Sequence, residues 1–212
     1  MRILFLGDSI TDAERESSLF GMGFGYIRSL VDLLIGKHPN KYELINRGVS
    51  GNTIVDLYSR IKLDCWNLEP DVISVLIGIN DVWREVDQKN GVELDRFEKV
   101  YRMLIEETQK RLPNVKLMLL EPFVLEGTAT RNDEAKPDRY EQFLAIYNYA
   151  DIVKKLANEY GCVFVPLQEK FMEGAKINGN AYYLWDGVHP WFGGANLIAE
   201  EWMKAFKAKI DN

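Results

Sequence analysis

Five short apolar runs, each followed by a longer segment with helical periodicity, constrain the fold of this chain more than any other feature. The runs occupy residues 3–6, 42–46, 72–78, 115–120 and 162–167. Near-continuous apolar strands that alternate with helices are typical of a parallel sheet covered on both faces. We therefore predict an α/β fold, a three-layer α/β/α sandwich whose five parallel strands follow the flavodoxin-like order 2-1-3-4-5.

Apolar residues recur at i, i+3, i+4 and i+7 between these runs, which predicts amphipathic helices. The predicted helices are 26–35, 53–63, 92–112, 140–160 and 193–209. A length of 212 residues without internal repeats suits one domain, which we expect to span residues 1–212. The polar stretch 126–140 predicts an exposed loop that shapes a binding site or an oligomer contact.

The charge balance argues against several classes of partner. With 32 acidic and 26 basic side chains, the net charge is −6, so we expect neither nucleic acid nor an anionic membrane as a partner. The first apolar run is too short for a signal peptide, and no stretch approaches the ~18 apolar residues of a membrane helix. We therefore expect a cytoplasmic protein. Cys65 and Cys162 lie far apart, and with only two histidines we expect no metal and no cofactor.

The first three predicted strands run into polar segments, "GDSITD", "RGVSGN" and "GINDVW". In doubly wound folds, ligands bind beyond the carboxyl ends of the strands. Glycine, asparagine, aspartate and serine form turns there, but they also supply hydrogen-bonding groups. Of the seven serines, only Ser9 and Ser50 directly follow a predicted strand. These two are therefore the candidates for a nucleophile.

A possible general base lies near the end of the sequence, where Asp186 precedes His189 by three residues in "WDGVHP". This spacing lets the carboxylate hold Nδ1–H of the imidazole and leaves Nε2 free to accept a proton. The pair alone is weak evidence, because an aspartate before a helix is also a good cap. The other histidine, His38, is expected to be exposed. The G-x-S-x-G elbow of α/β-hydrolases is absent, so a serine hydrolase here would follow another design.

Four sequence blocks, "GDSIT", "NRGVSGN", "GIND" and "DGVHP", resemble in order and spacing the blocks of the SGNH (GDSL) hydrolase family, across essentially the whole chain. The resemblance implies that Ser9 is the nucleophile of a triad completed by Asp186 and His189. It also implies an oxyanion hole formed by the backbone N–H groups of Ser9 and Gly51 and by the side-chain amide of Asn80. Gly51 suits this role because, without a Cβ, it presents its amide closely.

The segments "GNT", "GINDVWR" and "WDGVHP" further resemble the branch with acetylxylan and related carbohydrate acetylesterases. The resemblance implies a serine esterase that deacetylates small acetylated sugars such as xylo-oligosaccharides, and a homo-oligomer. We expect Trp83, Trp185 and Trp191 to contact the sugar, since aromatic rings offer flat apolar faces. Asp8 and Asp81 adjoin the active residues and are expected to contact or support the substrate site, although both also suit turns.

Two other functions stay open at this stage. A lysophospholipase or acyl-thioesterase would use the same triad on a longer acyl group. A non-catalytic carbohydrate-binding module would use the same aromatic residues without a nucleophile.

Overall fold

A five-stranded parallel sheet forms the centre of the protein, whose computed structural model describes residues 1–38 and 40–211. The strand order is β2-β1-β3-β4-β5, which confirms the predicted order. The strands are β1 (Arg2–Gly7), β2 (Glu43–Gly48), β3 (Val72–Leu76), β4 (Lys116–Leu120) and β5 (Val163–Val165). Every residue of β3 and all but the first of β1 are buried, as expected for strands covered on both faces.

Helices cover both faces of this sheet. The α-helices of the described residues are α1 (Ser9–Asp12), α2 (Tyr26–Leu34), α3 (Ile54–Ser59), α4 (Ile61–Asp64), α5 (Ile79–Gln88), α6 (Leu94–Arg111), α7 (Arg139–Phe143), α8 (Ile146–Glu159), α9 (Gln168–Asn178), α10 (Asn180–Tyr183) and α11 (Phe192–Lys209). One layer contains α2 packed against α11, and the other contains α6 packed against α3 and α8, so the three-layer sandwich is confirmed. None of these helices is both long and apolar enough to cross a membrane.

The observed helices depart from the predicted ones in three ways. The helix predicted over 53–63 is interrupted at Arg60, whose guanidinium turns inward and donates to the carbonyls of Gly7 and Arg47. The helix predicted over 140–160 is likewise divided into α7 and α8. Helices α5 and α9 and the four-residue helices α1 and α10 are absent from the prediction, and α9 buries only Gln168 and Phe171, too few residues for a clear periodic pattern.

The register of the sheet brings three strand ends to one level. Gly7 at the end of β1 pairs with Gly48 of β2 and with Leu76 of β3. A Cβ on Gly48 would lie only 2.2 Å from the backbone nitrogen of Asp12, so glycine is required for α1 to pack over the end of β2. Helix α1, the loop after β2 and helix α5 therefore begin side by side.

Candidate active site

Three side chains from distant parts of the sequence form a continuous hydrogen-bonded chain at this sheet edge. Ser9 Oγ lies 2.9 Å from Nε2 of His189, and Nδ1 of His189 lies 2.6 Å from Oδ2 of Asp186. The other oxygen of Asp186 accepts hydrogen bonds from the backbone N–H groups of Val188 at 2.9 Å and His189 at 2.7 Å. The imidazole is thereby oriented with Nε2 facing the serine hydroxyl, the geometry that proton transfer requires.

The surroundings of His189 and Asp186 favour the charged forms of both groups. Burial lowers the pKa of His189, but the hydrogen bond and charge of Asp186, with a smaller effect from Asp8, more than offset it and leave this pKa above its ordinary value. For Asp186, burial raises the pKa, but hydrogen bonds from the His189 ring and from two backbone N–H groups leave it below its ordinary value. Asp186 is therefore ionised at neutral pH and stabilises the imidazolium that forms when His189 accepts a proton.

Ser9 is presented by a very short helix. Strand β1 ends at Gly7, and Asp8 caps α1 by accepting a hydrogen bond from the backbone N–H of Ile10 at 3.0 Å. Ser9 is the first residue of α1 and is half-buried, which leaves its hydroxyl accessible at the sheet edge. The capping role that aspartate commonly plays thus belongs to Asp8.

The two acidic residues expected beside the site lie beneath its surface. Asp8 is 1 % exposed, and its Oδ2 has no hydrogen-bond partner among the described residues. Burial raises the pKa of Asp8 to about 7. Asp81 is fully buried, accepts hydrogen bonds from the backbone N–H of Ile54 at the start of α3, and has a pKa raised well above its ordinary value by burial. In this structure neither carboxyl group faces the cavity beside Ser9.

Gly51 and Asn80, the other two residues expected to stabilise an oxyanion, meet at the loop after β2. Asn80 Nδ2 donates to the carbonyl of Asn52 at 3.1 Å, and within the described chain the Gly51 N–H has no hydrogen-bond acceptor. Gly51 has a φ of +81°, whereas a Cβ there would meet nothing closer than Arg84 Nη2 at 3.9 Å. Its backbone conformation, rather than a lack of space, is therefore the reason for glycine.

A cavity of about 510 Å³ opens beside Ser9 and His189. Trp185 and Trp191 line it, and the indole of Trp185 stacks on the His189 ring with centroids 5.9 Å apart and planes at 21°. Its other lining residues are Ile10, Ala13, Glu14, Phe24, Gly25, Ser50, Pro190, Phe192 and Ala195. The two tryptophans are each 52 % exposed, so their rings are available to a ligand.

Trp83, the third expected sugar contact, has a different environment. Its ring centroid lies 6.0 Å from that of His189, but it does not line the cavity. It packs edge-on against Phe143 at 5.7 Å and donates from Nε1 to Asp87 at 2.7 Å. In this structure the Trp83 ring packs behind the His189 imidazole and is not part of the cavity surface.

The polar segment 126–140, expected to shape a binding site or an oligomer contact, makes hydrogen bonds behind the site, and none of its residues lines the cavity. The backbone N–H of Ala129 donates to the carbonyl of Asp186 at 2.9 Å. The buried guanidinium of Arg139 donates to the carbonyl of Ala129 at 2.7 Å and to Asp87 at 2.5 Å. The Arg139 hydrogen bond holds the pKa of Asp87 well below its ordinary value. This segment therefore fixes Asp186 directly and Trp83 through Asp87.

The sequence did not indicate three features of the site. Phe24 enters the cavity from an irregular segment without a helix or strand pattern. Asp12 accepts a hydrogen bond from Ser50 Oγ at 2.6 Å, and Arg84 donates to the carbonyl of Gly51 at 2.6 Å. Such contacts have no sequence signature, because they depend on how segments distant in the sequence pack together.

Comparisons with known proteins agree with this geometry. Residues 5–194 match the model of the GDSL-like lipase/acylhydrolase family. The chain is 36% identical over 214 residues to an acetylxylan esterase of Geobacillus stearothermophilus, covering 96% of this chain and 92% of that protein. The solved structure of Axe2, an acetylxylan esterase of that organism, matches with a TM-score of 0.82 at 35% identity, covering 96% of this chain and 93% of its own.

A protein of Parabacteroides merdae, named for its likeness to GDSL lipases, matches with a TM-score of 0.86 at 35% identity, covering 98% of this chain and 96% of that one. The residues matched by the family model include Ser9 and His189. The chain belongs to the GDSL-like lipase/acylhydrolase family and is a carboxylic ester hydrolase.

Proposed function

We propose that the protein removes acetyl groups from carbohydrates, with acetylated xylo-oligosaccharides as its substrates, through an acyl-enzyme on Ser9. The observation that carries this proposal is the hydrogen-bonded chain from Ser9 through His189 to Asp186, which opens on an aromatic-lined cavity. The 36%-identical relative is an acetylxylan esterase. Two solved structures of Axe2 are described as catalytic mutants, one with a serine and one with an aspartate replaced by alanine.

The reaction proceeds in two steps with His189 as the proton carrier. Ser9 Oγ attacks the ester carbonyl carbon while Nε2 of His189 takes the hydroxyl proton, and Asp186 stabilises the imidazolium. When the tetrahedral intermediate collapses, the bond to the sugar oxygen breaks and His189 protonates that oxygen. Water then attacks the acyl carbon with His189 again as base, and acetate leaves as Ser9 regains its proton.

The negative charge on the carbonyl oxygen is met by three donors. These are the backbone N–H groups of Ser9 and Gly51 and the side-chain amide of Asn80. The Gly51 N–H has no other acceptor among the described residues, so it is available to the oxyanion. Donors fixed before the reaction are effective because no reorganisation is needed as charge develops.

The position of His189 determines which part of the substrate enters the cavity. Because Nε2 must reach the leaving oxygen, the sugar lies on the His189 side, where Trp185 and Trp191 line the cavity. The flat faces of these rings suit the apolar face of a pyranose ring. A volume of about 510 Å³ falls within the roughly 300–1,000 Å³ typical of small-molecule sites.

The direct test is acetate release from acetylated xylo-oligosaccharides by the wild type and by Ser9→Ala. We expect Ser9→Ala to fall to background, while Ser59→Ala, a control at an exposed serine of α3, keeps wild-type activity. A fluorophosphonate probe should label the wild type and not Ser9→Ala. Acetate release at the wild-type rate by Ser9→Ala would refute the mechanism, and a wild type that neither releases acetate nor is labelled would favour a binding module.

The apolar part of the cavity is also compatible with one alternative class of substrate, esters with a longer acyl chain. Ile10, Ala13 and Phe24 line it together with the tryptophans, and such a surface also suits a longer acyl chain. We expect kcat/KM on p-nitrophenyl esters to be highest for acetyl and to fall steadily towards dodecanoyl. A rise with chain length would instead indicate a lysophospholipase or acyl-thioesterase acting through the same residues.

A further inference from the structure

Two side chains of helix α5 donate hydrogen bonds to the backbone carbonyls of two consecutive residues in the loop after β2. Arg84 Nη2 donates to the carbonyl of Gly51 at 2.6 Å, and Asn80 Nδ2 donates to the carbonyl of Asn52 at 3.1 Å. Asn80 and Arg84 are four residues apart on α5 and so share one helix face. One helix therefore holds both residues that follow Ser50 in this loop.

The peptide group that carries the Gly51 N–H joins Ser50 to Gly51. Hydrogen bonds hold the Ser50 residue before it and the Gly51 carbonyl after it. On its N-terminal side, Asp12 Oδ2 accepts hydrogen bonds from the Ser50 backbone N–H at 3.3 Å and from Ser50 Oγ at 2.6 Å. On its C-terminal side, Arg84 binds the Gly51 carbonyl. Peptide groups are planar, so holding both neighbours limits the rotations that would swing the Gly51 N–H away.

Glycine makes this restraint necessary. Gly51 has a φ of +81°, a conformation that glycine reaches easily but also leaves easily, because it lacks the steric limits of other residues. A donor placed on such a residue is useful for catalysis only if other contacts hold it. The short hydrogen bond from a charged guanidinium is the stronger kind for this purpose.

The guanidinium is itself held in place. Arg84 Nη2 lies 3.2 Å from Oδ2 of Asp56, whose same oxygen accepts hydrogen bonds from the backbone N–H and hydroxyl of Thr53 at 2.9 Å. With its side chain 34% exposed, Arg84 is neither a core residue nor a freely moving one. Both contacts are made by Nη2, and a lysine would place a point charge there on a flexible stem, without the rigid planar group that holds Nη2 in position.

We infer that Arg84 is a positioning residue, which fixes the Gly51 peptide so that its N–H faces the developing oxyanion. This inference rests on the proposed function, since it presumes that the Gly51 N–H stabilises an ester-derived oxyanion. It assigns Arg84 no contact with substrate. Its effect should therefore be on turnover and not on substrate affinity.

The first experiment compares Arg84→Met, Arg84→Lys and the control Arg28→Met on p-nitrophenyl acetate. Arg28 is exposed and pairs with Asp32 on its own helix, at 2.7 Å. We expect Arg84→Met to lower kcat by about 10–100-fold, less than the roughly 10²–10³-fold of a lost donor because Asp12 still holds the loop, with KM within about twofold. Arg84→Lys should recover part of this loss, and Arg28→Met should behave as wild type.

A second variant distinguishes the positioning of the Gly51 peptide from a simple ion pair between α3 and α5. Asp56→Asn removes the charge that faces Arg84 but keeps an oxygen for Thr53 and leaves the Gly51 contact in place. We expect it to change kcat by less than about threefold, as for an exposed ion pair. A loss equal to that of Arg84→Met would show that the ion pair matters rather than the contact with Gly51.

The decisive measurement is a double-mutant cycle between Arg84→Met and Asn80→Ala. If both act on the same oxyanion, the double variant should lose less than the product of the two single losses. Wild-type kcat in a folded Arg84→Met, an effect on KM alone, or strict multiplicativity would each overturn the inference. Failure of the proposed function is distinct, because then wild type and Ser9→Ala would release acetate equally or not at all.

Discussion

The loop after β2 and the segment 184–192 both border Ser9, but they are built in different ways. The loop is polar, and Asp12, Arg60 and Arg84 hold it through hydrogen bonds to its residues. The segment 184–192 presents Trp185 and Trp191, each 52% exposed, and Phe192, which is 72% exposed. The groups proposed to meet the developing charge are thus fixed in advance, whereas the proposed sugar contacts remain accessible.

This contrast teaches that the two surfaces should respond differently to mutation. Changes on the polar side should lower turnover for every ester, because the reacting carbonyl is common to all of them. Changes on the aromatic side should depend on the alcohol part of the substrate. Substitutions on each of the two sides test this separation.

Asp186→Asn should produce the largest loss, because it removes the charge that stabilises the His189 imidazolium and its preferred tautomer. By analogy with serine proteases, kcat should fall by about 10⁴-fold on every ester tested. The measurement is kcat on p-nitrophenyl acetate and on acetylated xylo-oligosaccharides, with the exposed Asp151→Asn as control. A loss confined to one of the two substrates would contradict the role proposed for Asp186.

Asn80→Ala should follow, with kcat lower by about 10²–10³-fold on both substrates and no loss of the fold. The side chain donates to the Asn52 carbonyl and is half-buried, so its removal leaves no cavity in the core. Steady-state kinetics, together with circular dichroism of the folded variant, provide the check. Full activity in the folded variant would remove Asn80 from the oxyanion hole.

Trp191→Ala tests the aromatic side and should act on one substrate only. We expect kcat/KM on acetylated xylo-oligosaccharides to fall by about 5–10-fold, the loss of roughly 1 kcal/mol of ring contact, while p-nitrophenyl acetate changes by less than about twofold. The ring is 52% exposed, so stability should hardly change. Equal losses on both substrates would abolish the contrast between the two surfaces.

The pH dependence should give the smallest change between variants. Because His189 acts as a base only when neutral, kcat/KM should fall as the pH decreases through its raised pKa, with a midpoint above 6.5 in the wild type. The charged groups that act on His189 are Asp186 and, more weakly, Asp8. Asp8→Asn keeps a capping oxygen but removes a negative charge that is only partly present near the Asp8 pKa of about 7, so it should lower the His189 pKa slightly and move the acid limb slightly to lower pH. A limb that moves to higher pH would contradict this electrostatic coupling.

The fold was largely predictable from the sequence because buried parallel strands leave long apolar runs. All five strands and their order are confirmed. Helix α5 is not predicted because "GINDVW" suits a strand exit, although its buried residues Ile79, Val82 and Val86 have helical spacing. The interruption at Arg60 depends on carbonyls of Gly7 and Arg47, which are distant in sequence and therefore invisible to local patterns.

The convergence of Ser9, Asp186 and His189 was predictable for a different reason. The resemblance to the SGNH (GDSL) family implies it, and the parallel topology brings Ser9, at the exit of β1, to the sheet edge. The block that carries Asp186 and His189 follows α10 rather than a strand, so topology alone does not bring these two residues to Ser9. The burial of Asp8 and Asp81 was not predictable, since the same residue types serve as caps or as exposed turn formers. The contacts of Asp12 and Arg84 with the loop also depend on tertiary packing, which composition and spacing do not encode.

The hydrogen bond between Ser9 and His189 joins residues separated by 180 positions, which has a consequence for biosynthesis. At about 5–20 residues per second, His189 leaves the ribosome roughly 10–40 s after Ser9. The first strand and its serine must therefore wait through the synthesis of most of the sheet before a base is available. A nascent chain should carry no esterase activity until the last helix has docked, so the onset of activity would time the completion of folding.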